Sequence, residues 1–270
     1  MINPREFMIR PGSAVSLADH DPSSKRGFTG GKNEGRKALR DFNRSLAELQ
    51  TRLWAESTQK LLVVIQAIDT GGKDGTIRNV FSGVNPQGVR IHSFGVPTEE
   101  ELAHDYLWRI HHHTPASGLI TVFNRSHYED VLVVRVRNLV PESRWQKRYN
   151  HINEFEKMLT DEGTTIVKLF LHISKEEQKE RLQSRIARPD KNWKFRAGDL
   201  EDRALWDEYM TAFEAMLSRT STEYAPWYVV PANRKWYRNL VASKIVIDTL
   251  ERMDPRFPDP EPGIESLVVE

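Results

Sequence analysis

The sequence predicts an α/β protein, with a doubly wound, mainly parallel sheet of five strands sandwiched between helices in three layers. Three observations lead there. Short apolar runs alternate with amphipathic stretches along most of the 270 residues. The stretch from Leu61 to Thr76 (LLVVIQAIDTGGKDGT) begins with a run of Leu, Val and Ile, the composition of a strand buried on both faces. That run passes straight into Gly71, Gly72 and Gly75 around Lys73, and closes on Thr76 at the start of a helical segment. Glycines let backbone N–H groups approach an anion, and a helix N-terminus carries partial positive charge. The stretch therefore reads as a phosphate cradle.

The cradle departs from the general pattern G-x-x-x-x-G-K-[ST]. Ala67 stands at the first glycine position, and Asp74 and Gly75 separate Lys73 from the hydroxyl of Thr76. The plainer alternative is a glycine-rich turn after a core strand. Three glycines, a lysine and a carboxylate together favour the cradle. Asp69 is its unusual member, because a carboxylate beside phosphate is repulsive unless it holds a cation or takes a proton. It is read as a Mg2+ ligand or a base.

Composition narrows the class. Hydrophobic residues make up 39% of the chain and charged residues 29%, which suits a soluble protein with a core. No run is long enough to span a membrane, and the first residues lack a signal-peptide core, so a cytoplasmic protein is expected. The absence of cysteine excludes disulfides, thiol catalysis and cysteine–zinc sites. A net charge of +1 means that any polyanion must be met by local clusters of Lys and Arg.

Residues 1–34 read as an irregular arm, with Phe7, Met8 and Phe28 as candidates for docking on the domain. Arg36 to Glu56 is a helix with Leu39, Phe42, Leu46, Leu49 and Leu53 on one stripe. After the cradle strand come a helix from Thr76 to Ser82 and a strand from Val89 to Phe94. Thr98 and Glu101 form a capping box for a helix running toward Ile110. His111, His112 and His113 follow, and read as a polar helix end rather than a metal site. Gly118 to Phe123 is a third strand, delivering Asn124 and Arg125 to the cradle edge. Arg125 is placed to meet phosphate, the plainer alternative being a pair with Glu129 one helical turn on. Val131 to Leu139 and Arg144 to Asp161 are read as helices, and Thr165 to Ile173 as a fourth strand. Ser174 caps a basic helix and tail from Lys175 to Arg196, at the sheet edge where ligands bind. This stretch is read as a basic lid, the alternative being a solvated face. A helix from Asp199 to Leu217, a strand from Trp227 to Pro231 and a closing helix from Lys235 to Arg252 complete the domain. The lid spans about 175–217, the domain 35–253, and residues 254–270 form a tail.

Several segments carry a family resemblance. Ala67 to Thr76 (AIDTGGKDGT) is similar to the Walker A segment of the polyphosphate kinase 2 family, and Phe123 to Asp130 (FNRSHYED) resembles its Walker B segment. Gly83 to Gly88, His172 to Gln178 and Ala225 to Pro231 also resemble that family. The resemblance implies a P-loop kinase fold like that of thymidylate kinase, with a helical lid. It implies reversible phosphoryl transfer from inorganic polyphosphate to a nucleotide, with Mg2+ or, alternatively, Mn2+. Most of the family carries Asp where this chain has Asn124. That departure, with Asp74, Glu129 and Asp130, resembles the single-domain class that accepts both AMP and ADP.

Within that resemblance, Asp69, Lys73, Arg125 and Arg185 are the expected catalytic residues, with Asp69 holding the metal. Gly71, Gly72, Asp74, Gly75 and Thr76 form the phosphate loop. Lys179, Lys191 and Lys194 line the polyphosphate path, and Asn124, Glu129 and Asp130 meet the nucleotide. The expected partners are polyphosphate, adenine and also guanine nucleotides, and further copies of the chain in a dimer or tetramer, with no nucleic acid or membrane. The alternatives are an ATP-dependent nucleoside or nucleotide kinase, and a non-catalytic polyphosphate-binding protein.

Overall fold

The strand assignments follow from burial. A computed structural model describes residues 2–196 and 198–269 of the chain. Five strands, Lys60–Gln66 (β1), Val89–Ser93 (β2), Ile120–Asn124 (β3), Thr164–His172 (β4) and Trp227–Pro231 (β5), form one sheet in the order β2-β3-β1-β4-β5. Every pairing between these strands is parallel. β1 sits in the middle, and Leu61 to Ile65 are fully buried. Crossovers to opposite sides of β1 place the topological switch at its C-terminal end, where such sheets bind ligands.

Ten helices accompany the strands among the described residues. They are Lys32–Glu56 (α1), Lys73–Val80 (α2), Glu99–Ala103 (α3), Trp108–His111 (α4), Val133–Val136 (α5), Glu142–Asp161 (α6), Lys175–Ile186 (α7), Gly198–Ala204 (α8), Trp206–Thr220 (α9) and Lys235–Met253 (α10). α10 packs on α1 and α2, while α6 and α9 pack together, with α6 against β4. Leu46 and Leu53 of the predicted α1 stripe are buried, and Leu39, Phe42 and Leu49 pack at the margin of the core. Gly35 of α1 lies under the Trp236 ring, where a side chain would collide.

Four expectations need correction. The helix after the cradle starts at Lys73 rather than Thr76, so the lysine itself opens the helix. The helix capped by Thr98 and Glu101 stops at Ala103, because Asp105 caps a separate turn by accepting from Leu107 and Trp108. Residues after Asn124 form a 3-10 turn, His127–Val131, followed by the one-turn α5, instead of a helix from Val131 to Leu139. The helix expected from Asp199 to Leu217 is divided at Leu205 into α8 and α9. Ser174 caps α7 as expected, accepting from the Glu177 N–H.

The first residues pack against the sheet. Ile2, Phe7, Ile9 and Leu17 are buried, and the Ile9 N–H donates to the Trp227 carbonyl. Met8 bridges antiparallel to Tyr228, which covers the β5 edge. His92 and His113 stack with ring centroids 3.4 Å apart, and no group of three metal-ligating side chains occurs among the described residues. No helix among them is long and apolar enough to cross a membrane.

His172 ends β4 beneath this first segment. Burial pushes its imidazole down to about 4, so the folded state resists a proton that the unfolded chain accepts near 6.5. Stability is therefore expected to fall as pH drops from about 6.5 toward 4, by up to about 1.4 kcal/mol per pH unit from this group. Urea unfolding at pH 7 and pH 5 checks this, with His172→Gln expected to flatten the difference.

Candidate active site

The parallel register fixes the site. Ile65 of β1 lies opposite Asn124 of β3, so the loops leaving both strands emerge side by side. The β1 loop turns through Thr70 and Gly72 at φ +64° and +104°, and its Gly71 N–H donates to the Ile68 carbonyl. Gly72 caps α2, and Thr76 returns both its N–H and its hydroxyl to the Gly72 carbonyl. The Lys73 side chain is buried, curling back so that Nζ donates to the Ala67 carbonyl at 2.9 Å. Burial, then Arg125, push its ammonium down, against the pull of Asp69, Glu129 and Asp74.

The β3 end supplies the opposing wall. Arg125 adopts φ +63° and donates its N–H to the Ile65 carbonyl. Its Nη2 reaches Asp69 Oδ1 at 2.6 Å, so its ion-pair partner is Asp69 rather than Glu129. Burial favours the neutral Asp69 carboxyl, but Lys73 and Arg125 outweigh it and hold this group below the usual carboxylate range. Asp69 is thus ionised at neutral pH. The Asn124 amide donates to Asp74 Oδ1 at 3.0 Å, tying β3 to the first turn of α2.

Glu129 and Asp130 do not lie on a surface turn. Asp130 is 8% exposed and pairs with Arg148 at 2.7 Å, while burial pushes its carboxyl up to about 6. It borders a cavity of about 790 Å³ that Tyr106, Arg109, Lys147 and Arg148 also line. Glu129 is half-buried, close enough to Arg125 and Lys73 to offset part of the upward push that burial gives its carboxyl. Gln66, its amide oriented by its partners, donates to Glu129 Oε1 and accepts from Ser126.

The basic helix α7 reaches the loop through its inward stripe, Gln178, Arg181, Leu182 and Arg185. The Gln178 amide donates to the Asp69 carbonyl, and Arg181 Nη1 donates to the carbonyls of Thr70 and Gly71. Arg185 pairs with Asp199 at 3.2 Å and contributes to the lowering of the Asp69 carboxyl. Lys179 is exposed, off that stripe, and Lys191 is exposed beyond the helix end. The side chain of Lys194 lies outside the described residues. The structure therefore brings Asp69, Lys73, Arg125 and Arg185 together and sets Lys179 apart. Gln178, Arg181 and Arg238 were not anticipated from sequence. A stripe at three- and four-residue spacing was readable for the first two, whereas the approach of Arg238 to Gly72 depends on α10 crossing α2.

A glycine loop with a helix-opening lysine, a carboxylate and converging arginines at the switch point of a parallel sheet define a P-loop phosphotransferase. The family model of polyphosphate kinase 2 matches residues 30–258, and the chain belongs to that family. A curated protein of Meiothermus ruber, AMP/ADP-polyphosphate phosphotransferase, is 59% identical over 266 residues, covering 98% of this chain and 100% of its own length. The ADP-polyphosphate phosphotransferase of Rhodopseudomonas palustris is 43% identical, covering 97% of this chain and 94% of its own. The crystal structure of polyphosphate kinase 2 from Arthrobacter aurescens TC1 superposes with a TM-score of 0.94 at 44% identity, over 98% of this chain and 95% of that one.

The loop geometry makes a prediction. A Cβ on Gly72 would fall 2.0 Å from Arg238 Nη1, whereas one on Gly83, at a similar φ of +96°, would meet nothing within 4 Å. Gly83→Ala is expected to cost only the conformational penalty, about 1–2 kcal/mol. Gly72→Ala is expected to cost more than that. Denaturant unfolding of the pair separates the collision from the backbone penalty.

Proposed function

We propose that this chain transfers phosphoryl groups from inorganic polyphosphate to AMP and to ADP, forming ADP and ATP. The observation that carries the reading is the convergence of Lys73, Asp69 and Arg125 where β1 and β3 end. The names of the relatives support the substrate class, and Asn124 beside Asp74 supports the dual acceptor.

Phosphoryl transfer needs alignment and charge neutralisation more than covalent help from the protein. A terminal phosphate oxygen of the acceptor attacks the end phosphorus of the polyphosphate, and the bridging P–O bond breaks, leaving a chain one phosphate shorter. Lys73 and the loop N–H groups hold the phosphoryl in transfer. Arg125 uses Nη2 on Asp69, leaving Nε and Nη1 for the acceptor phosphate. Arg185 neutralises charge developing in flight. Glu129 and Asp130 accept from the nucleobase amino group, and Lys191 and Lys194 guide the polyphosphate. Residues 175–217 act as the lid over this site.

The donor set fits Mg2+, which takes one or two carboxylates and completes its shell with phosphate oxygens and water. Asp69, ionised and at the mouth of the loop, would hold it. When bound, the cation supplies charge neutralisation between donor and acceptor phosphates. Guanine nucleotides as acceptors and assembly into a homo-oligomer belong to the same reading.

Purified protein with AMP, polyphosphate and Mg2+, and no ATP, is expected to form ADP and then ATP on ion-exchange chromatography. Formation of ATP from ADP with none from AMP would remove the dual acceptor. Lys73→Ala and Asp69→Asn are each expected to lower kcat on the order of a hundred- to a thousandfold, with circular dichroism unchanged. For Arg185→Ala a fall in kcat is expected, and for Lys191→Ala mainly a rise in KM for polyphosphate. Saturation curves for both variants check that split.

A further inference from the structure

The roles above leave out a cationic cluster beside the glycine loop, where β5 passes into α10. Arg238 is 3% exposed and has no carboxylate partner among the described residues. Its Nε and Nη2 donate to Asn239 Oδ1 at 3.1 and 2.8 Å. Its Nη1 makes no hydrogen bond among those residues and lies against Gly72, with Nη2 near Gly75. Arg238 is therefore no prop for the loop carbonyls, a role that Arg181 fills. Burial, then Arg181, push its guanidinium down to about 9, so it remains charged at neutral pH.

Lys235 stands one turn earlier on α10, exposed. Its ammonium is lowered by partial burial and by Arg181, Arg238 and Lys191, which places all three in its neighbourhood. The nearby acid is Glu177, and Arg181 Nε already binds it at 2.6 Å. Cations held together with so little compensation destabilise a fold unless an anion shares them. The backbone here is braced from outside: Asn233 Nδ2 donates to Ser23 Oγ, the Arg234 guanidinium to the Ser23 carbonyl, and the Tyr237 hydroxyl to the Arg26 carbonyl. Those bracing residues precede the stretch 30–258 that the family model matches.

We propose that the donor polyphosphate leaves the glycine loop along the start of α10, with Arg238 holding the phosphates next to the one transferred and Lys235, with Lys191, guiding the chain beyond. This track rests on the polyphosphate reading of the site. A phosphate chain presents uniform charge, so the inner guanidinium acts on every donor while the outer ammonium acts only on chains long enough to reach it. The two residues are thus separable by chain length.

The test compares full-length Lys235→Ala, Arg238→Gln and Arg238→Lys with wild type, and Lys157→Ala, on the distant α6, sets the background. Tripolyphosphate and long-chain polyphosphate are titrated calorimetrically without nucleotide, and saturation kinetics are run with AMP. Lys235→Ala is expected to weaken long-chain binding about two- to fivefold, and tripolyphosphate less. Arg238→Gln is expected to weaken both on the order of ten- to a hundredfold, with part recovered in Arg238→Lys. KM for AMP is expected to move less than KM for polyphosphate in all three. Should Arg238→Gln fail to fold, Lys235→Ala still decides, since its side chain is exposed. Long-chain affinity equal to wild type in Lys235→Ala overturns the track. Unchanged tripolyphosphate affinity in folded Arg238→Gln makes Arg238 a packing residue and overturns its role. Wild type that binds polyphosphate yet leaves AMP unphosphorylated would instead remove the proposed function and leave the track standing.

Discussion

One guanidinium, that of Arg181, ties the site together. Nη1 donates to the carbonyls of Thr70 and Gly71, Nη2 to those of Ala232 and Asn233, and Nε to Glu177. A loop that aims its N–H groups at an anion turns its carbonyls back into the protein, where they need donors. Five N–H groups in a rigid fork meet that need, and the three donors of a lysine on a point charge would not. The same side chain joins the β1 loop, α7 and the loop entering α10. The glycine loop is therefore held in shape by the protein itself, the kind of preorganisation that electrostatic catalysis requires.

A second tie lies under the turn after β3. Lys168 of β4 and Glu156 of α6 are fully buried and pair at 2.6 Å. Glu156 also accepts from the Tyr128 hydroxyl and meets His127, while Lys168 donates to Tyr128 and to the Thr220 carbonyl. An apolar pair of equal volume would often serve stability as well, so stability is a weak reason for this network. Its geometric effect is definite. It grips two residues of the turn His127–Val131 and so fixes the outlook of Glu129 and Asp130, the next two in the chain.

Much of the fold was legible because the central strands of a parallel sheet must be apolar throughout, and polar residues bound them. Trp227–Pro231 was read to the residue, and the bounds read for β2, β3 and β4 fall within one or two residues of those found. The helices of the α7–α9 stretch were less legible, since the break at Leu205 falls where the sequence has neither a proline nor a glycine. The cradle announced itself through glycines and a lysine. Its neighbours did so unequally: Arg181 lies on a stripe at three- and four-residue spacing, whereas Arg238 meets the loop only where α10 crosses α2. The basic run also hid a periodicity: Arg181 and Arg185 share a stripe with Gln178 and Leu182, and Lys179 falls off it. Charge counting treats those residues alike, whereas the 3.6-residue period separates them.

The pairing of Asp69 with Arg125 shows why backbone strain belongs in this site. Along an extended strand, side chains alternate between the two faces of the sheet, so a residue continuing β3 would project above or below β1. Arg125 instead turns to φ +63° while keeping its N–H on the Ile65 carbonyl. The ladder bond is kept, the alternation is broken, and the guanidinium crosses the strand ends to Asp69. Thr70, beside Asp69, takes φ +64°, an uncommon conformation for a β-branched residue. Such conformations persist only where the surroundings over-determine them. Here the Arg181 fork holds the Thr70 carbonyl, and the β1 ladder holds Arg125. The turn of Arg125 out of the strand direction thus carries its positive charge to Asp69, where the direction of β3 alone would not put it.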